Sequence, residues 1–179
     1  MFLFSLSMML VMAFASPIAA EQSAACSLLT SSEIEAATGG HVSAAEPMQL
    51  DDIATDPERV MKVLGCMWGV ASPTGQLTMT WFQGPLTDEE IAQLIMANKR
   101  NTDIDDMRTA NYREEAKEFP NAWCSIFIPS ASEKPHLLLS TCAGGVNRQG
   151  LSITFSSQTT SLTIDQAKAL LDKAGERAH

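Results

Sequence analysis

No two cysteines, and no cysteine and histidine, stand within five residues of one another in this chain. That spacing excludes the common structural zinc folds, whose ligands come in close pairs. Gly-x-Ser-x-Gly is absent, which sets aside the nucleophile elbow of an α/β hydrolase. Histidine is scarce, with only His41, His136 and the terminal His179, so neither a Cys–His dyad nor a His-x-x-x-His zinc helix can be assembled from neighbours in sequence. Basic residues are few: 12 Lys and Arg stand against 21 Asp and Glu, a net charge of −9. Such a balance argues against nucleic acid and against anionic membrane surfaces, both of which demand basic patches. Beyond the N-terminus no apolar run approaches the ~20 residues of a membrane span.

What is present begins with MFLFSLSMMLVMAFASPIAA, twenty residues without a charge. The run from Met1 to Ala15, followed by Ser16, Pro17 and Ala19-Ala20, has the pattern of a secretory signal cleaved after Ala20. Its n-region lacks Lys or Arg, and the alternative is an uncleaved membrane anchor. The expected product is an acidic periplasmic or secreted protein of residues 21–179, in one domain. It carries an even number of cysteines, Cys26, Cys66, Cys124 and Cys142. In an oxidising compartment four cysteines imply two disulfides. Lipidation of Cys26 is the competing reading, but Ser23-Ala24-Ala25 before it is not a lipobox.

Strand geometry suggests the pairing. NAWCSIFIP (121–129) and HLLLSTC (136–142) flank the turn-rich SASEKP. A hairpin centred near Glu133 sets Cys124 opposite Cys142, Ile126 opposite Ser140, Phe127 opposite Leu139 and Ile128 opposite Leu138. Cys26–Cys66 then follows by elimination.

Three Thr-x-x-Glu/Gln boxes, at Thr30/Glu33, Thr87/Glu90 and Thr163/Gln166, announce helix starts. The first helix ends at Gly39-Gly40. The second, to Arg100, presents Ile91, Leu94 and Ile95, and the third presents Ile164, Ala167, Leu170, Leu171 and Ala174. Between them KVLGCMWGV (62–70) and QLTMTWF (76–82) alternate as a hairpin closed by Ser72-Pro73-Thr74-Gly75. Residues 150–156 form a further strand, and HVSAAEPMQL contains a short one. DDIATDPERV is expected to be an acidic loop, and 101–120 a loop or irregular edge strand. Strands arrive in hairpins, so the fold class is α+β: a mainly antiparallel sheet covered by about three helices.

Cys26, Leu28, Leu29 and Thr30, the helix ending at Gly39, and the strand pair Cys66-x-Trp68 together resemble small secreted cell-envelope domains of unknown function, best known among actinobacterial lipoproteins. The resemblance covers the first third of the chain. It implies an extracytoplasmic α+β domain and carries over no catalytic residue.

Candidate binding residues remain. Asn101, Asp103 and Asp105 have the first three spacings of a calcium loop, although Asp106 stands where Gly belongs and Tyr112 where Glu belongs. The acidic stretch Asp51, Asp52, Asp56 and Glu58 is the other acidic cluster. Trp68, Trp81 and Trp123 either line a ligand face or pack in the core. Met48, Met61, Met67, Met79, Met96 and Met107 lack the clustered spacing of a copper site. No catalytic residue and no cofactor emerges. The function expected is that of an exported, non-catalytic binding protein, an inhibitor or immunity-type protein engaging a basic protein partner. The alternatives are a small-ligand or metal-binding accessory domain, and a hydrolase with an unrecognised carboxylate site.

Overall fold

A computed structural model describes residues 24–56, 59–72, 74–100, 112–129 and 137–179. The signal segment with its cleavage point at Ala20, the Asn101/Asp103/Asp105 triplet, Glu58, Met107, Glu133 and His136 lie outside the described residues.

A nine-stranded, wholly antiparallel sheet dominates: β1 (His41–Val42), β2 (Glu46–Met48), β3 (Ile53–Asp56), β4 (Arg59–Ala71), β5 (Gly75–Gln83), β6 (Tyr112–Phe119), β7 (Ala122–Pro129), β8 (Leu138–Val146) and β9 (Gln149–Ser157). The order across it is β1-β4-β5-β9-β8-β7-β6, with β2 and β3 also pairing along the edge of β4. Among the described residues three helices accompany it: α1 (Ser31–Thr38), α2 (Asp88–Lys99) and α3 (Ile164–Arg177), and a helical turn occupies 24–26. The α+β expectation holds among the described residues: a mainly antiparallel sheet with helices packed on it and two disulfides, the helix count differing slightly from the three expected.

All three helices start as the sequence announces. Thr30, Thr87 and Thr163 each accept from the backbone amide three residues on, and the Glu33, Glu90 and Gln166 side chains reach back to the cap amide. Each reciprocal box satisfies donors that the first turn leaves orphaned. α1 stops where Gly39 turns left-handed at φ 74°.

Two disulfides tie the fold, Cys26–Cys66 and Cys124–Cys142. The β7–β8 register brings Cys124 against Cys142, Ile126 against Ser140 and Phe127 against Leu139, as the hairpin argument expects. Among the described residues no cysteine is free.

The sheet's two faces differ. On one, Leu64, Cys66, Trp68, Leu77, Met79, Trp81, Leu151, Ile153 and Phe155 build the main core. Against it α3 lays Ala167, Leu170, Leu171 and Ala174, and α1 lays Ile34. Each buried leucine there contributes about 1.5–3 kcal/mol. α1 is clamped to the last turn of α3, because the Arg177 guanidinium donates to both Glu33 oxygens at 2.7 Å and to the Leu28 carbonyl at 2.8 Å. The Arg177 hydrogen bond, opposed by burial and helped by the Thr30 cap, draws Glu33 down to about 2.

On the other face a small cluster of Trp123, Phe127 and Leu139 packs with Ile95 and Tyr112. Beside it a row of hydroxyls, Ser125, Thr141, Thr154 and Thr78, crosses four strands in register. Asn98 of α2 accepts from Thr141 at 3.1 Å and donates to Ser152 at 2.7 Å. α2 therefore grips this face by polar bonds as well as apolar ones. This explains why only Ile91 of its expected stripe is buried, while Leu94 and Ile95 are half-covered.

Two local expectations change. The acidic stretch after Leu50 is not a loop, because Ile53–Asp56 pairs with the first residues of β4. Residues 112–119 form a regular edge strand in unbroken register with β7. Residues 112–119 are mostly exposed, so they lack the sustained alternation that marks a half-buried strand. The segment HVSAAEPMQL supplies two short strands instead of one.

Candidate functional site

The three tryptophans do not share a face. Trp68 (1% exposed) and Trp81 (4%) belong to the main core, and Trp123 (4%) lies across the sheet in the small cluster. Trp81 is also fixed by its polar edge, donating to Gln149 Oε1 at 3.1 Å. An open aromatic groove is thus not formed by these residues; hydrophobic burial places them inside. His41 is exposed at the end of the sheet, 3.6 Å from Glu35, and His179 is exposed. Met79 is fully buried, Met48, Met61 and Met67 are half-buried, and Met96 is exposed. Among the described residues no three His, Cys, Asp or Glu side chains gather as a metal site would require.

The feature missed in the sequence is a ribbon. β4 begins at Arg59, but β5 joins it only from Lys62. Arg59, Val60 and Met61 pair with β3 alone, so β3 and the start of β4 form a two-stranded arm beyond the sheet. Val60 on this arm is 64% exposed and Ile53 is 44% exposed. Among the described residues they are the two most exposed large hydrophobics, and they lie on opposite faces of the ribbon, since Ile53 is paired with Met61 and Val60 with Ala54. Ile53-Ala54 and Val60-Met61 on either side of Asp56-Pro57-Glu58 were the available signal, an apolar pair on each arm of a turn.

Arg59 ties the turn end of the arm to the body of the fold. Its guanidinium donates to Glu90 Oε1 at 2.9 Å and to the Pro85 carbonyl at 3.4 Å, joining the ribbon to the start of α2. Glu90 also accepts from the Thr87 amide at 2.7 Å. That bond chiefly, then the Thr87 hydroxyl and Arg59, holds its carboxyl below the usual range. Asp52 accepts from the Val63 amide at 3.2 Å, anchoring the other strand. Asp51 and Asp52 precede β3, and Asp88 and Glu89 open α2; all four are exposed.

No family model matches the chain, and no curated protein sequence matches it. Among solved structures the chain is similar to the extracellular domain of PknH from Mycobacterium tuberculosis, at a TM-score of 0.47 and 14% sequence identity, over 86% of this chain and 93% of that one. No helix among the described residues is long and apolar enough to cross a membrane.

Proposed function

We propose that this chain is an exported, non-catalytic binding protein of the cell envelope, which engages a basic protein partner through the β3–β4 ribbon, as an inhibitor or immunity-type protein would. The observation that carries the reading is Val60, 64% exposed on the β3–β4 ribbon of a chain whose net charge is −9. The net charge of −9 adds long-range attraction for a cationic partner and speeds encounter. Two disulfides, one of them between cysteines that are both fully buried, support export, since such bonds persist outside the reducing cytosol. The N-terminal apolar segment and the resemblance of the Cys26–Trp68 region to small envelope domains fit the same compartment.

The test compares oxidised 21–179 with Val60→Arg as bait on native envelope extract, at low and high salt. The expected result is one basic protein enriched by the wild type, lost with Val60→Arg and weakened by salt. Equal capture by both baits overturns the ribbon as the docking surface. Capture that is indifferent to salt overturns the role of charge.

A further inference from the structure

A second feature lies on the far side of the sheet, beyond β5 and β9 from the ribbon. There the β6–β7 turn, the end of β8 and one face of α3 enclose a cleft of about 340 Å³. That volume falls within the range of small-molecule sites, about 300–1,000 Å³. Its walls are the Phe119 ring, Ala122 and Val146; its polar groups are Asn121, Asn147, Lys168 and Asp172. We propose that this cleft binds a neutral saccharide. The inference goes beyond the protein-partner reading and does not rest on it.

The cleft is built before any ligand arrives. The Gly145 amide donates to the Asn121 carbonyl at 2.8 Å, which holds the β6–β7 turn against β8. The approach is close: a Cβ on Gly144 would lie 2.3 Å from that same carbonyl. Asn147 sits in the left-handed region at φ 51°, and its Nδ2 donates to the Gly175 carbonyl at 3.3 Å. That bond aims the side chain and leaves its Oδ1 as an acceptor. Lys168 donates to both oxygens of Asp172 at 2.6 Å, one turn along α3.

Charge selects the ligand class. Within the lining the Lys168 cation is matched by the Asp172 anion. Lys168 and Lys117 both stand over the Phe119 ring, at 5.2 and 4.9 Å from its centroid, and Lys117 is in turn matched by Asp165 at 3.4 Å. No uncompensated charge is left to hold a phosphate or a carboxylate. What remains is a mixed set of donors and acceptors: two carboxamides and an ion pair with spare capacity on both partners. Sugar hydroxyls, each both donor and acceptor, fit such a set. The C–H faces of a pyranose fit Phe119, Ala122 and Val146. A peptide also offers donors and acceptors, but it binds best by extending along an open strand edge. Here the lining is a turn, a strand end and a helix face.

The experiment is a titration of ¹⁵N-labelled, oxidised 21–179 with maltose, cellobiose and chitobiose, and separately with triglycine. The expected result is that at least one disaccharide shifts the amides of Phe119, Asn121, Ala122 and 145–147 to saturation in the millimolar range. Asn121→Ala, at an exposed turn position, should leave the rest of the spectrum in place and weaken binding about tenfold. Val60→Arg should bind the sugar as the wild type does, which separates this outcome from that of the ribbon. The proposal is overturned if no disaccharide shifts the cleft amides, if triglycine does so in their place, or if Asn121→Ala binds as tightly as the wild type.

Discussion

Removing the charge of Glu33 should weaken the protein at neutral pH and hardly at all in acid. Glu33 caps α1 through Thr30 and receives a two-pronged hydrogen bond from Arg177, 144 residues away. Its carboxyl is drawn from 4.5 down to about 2. At ~1.36 kcal/mol per pH unit that difference has a ceiling of about 3.4 kcal/mol. Arg177 is 40% exposed, so solvent screens the pair and about 1–2 kcal/mol is the reasonable expectation. The sign follows from proton binding. Because the folded pKa is depressed, the unfolded chain binds more protons between pH 4.5 and pH 2. The contribution is complete above pH 4.5 and fades as pH falls through 2. Glu33→Gln keeps the shape, and Gln also serves at the third position of a capping box, so the variant isolates the charge. Urea unfolding of wild type and Glu33→Gln at pH 6 should differ by about 1–2 kcal/mol. The gap should narrow below pH 4.5 and nearly close by pH 2. A gap that stays constant from pH 6 to pH 2 would refute the electrostatic account and assign the effect to packing. No gap at pH 6 would refute the clamp.

Two further expectations concern the staples and the helix–sheet contact. Replacing Cys124 and Cys142 together by Ser opens a link spanning 18 residues, and replacing Cys26 and Cys66 opens one spanning 40. Chain entropy predicts losses of about 3 and about 4 kcal/mol, read as the difference in unfolding midpoint multiplied by the denaturant slope. Gly175→Ala in α3 should destabilise by about 1–3 kcal/mol despite the better helix propensity of Ala. Its new Cβ would lie 2.2 Å from the Val146 Cβ, and Val146→Ala in the same chain should recover part of the loss. A more stable Gly175→Ala variant would show that α3 can lift from the sheet without penalty.

The parts of the fold that were legible are those where one residue type has one physical reason to be present. Thr30, Thr87 and Thr163 mark helix starts because a side-chain acceptor followed three residues later by Glu or Gln completes a first turn. The alternation Leu64, Cys66, Trp68, Val70 marks a half-buried strand because the pleat has a period of two. The Cys124–Cys142 bond was legible because hairpin register follows from where the turn sits. The illegible parts are solvated on both sides. Tyr112–Phe119 carries Arg113, Glu114, Glu115, Lys117 and Glu118, a charged edge that keeps strangers from pairing and also erases the strand's period. The β3–β4 arm is illegible for the same reason, and it is also the candidate docking surface.

Neither candidate site could have been found from the chemistry of its residues alone. The cleft depends on contacts between segments remote in sequence: Asn121 against Gly145, and Asn147 against Gly175. None of these four residues carries a catalytic side chain by type, and the glycines matter for the side chain they lack. At Gly144 and Gly175 a methyl group would strike Asn121 and Val146, so close approach, not conformational freedom, explains glycine there. The same approach that seats α3 on the sheet shapes the wall of the cleft, with Val146 between Gly175 and the opening. Stability and the ligand site are therefore coupled through α3. A substitution that pushes α3 away from β8 should therefore widen the cleft and loosen the packing of Leu170 and Leu171 together.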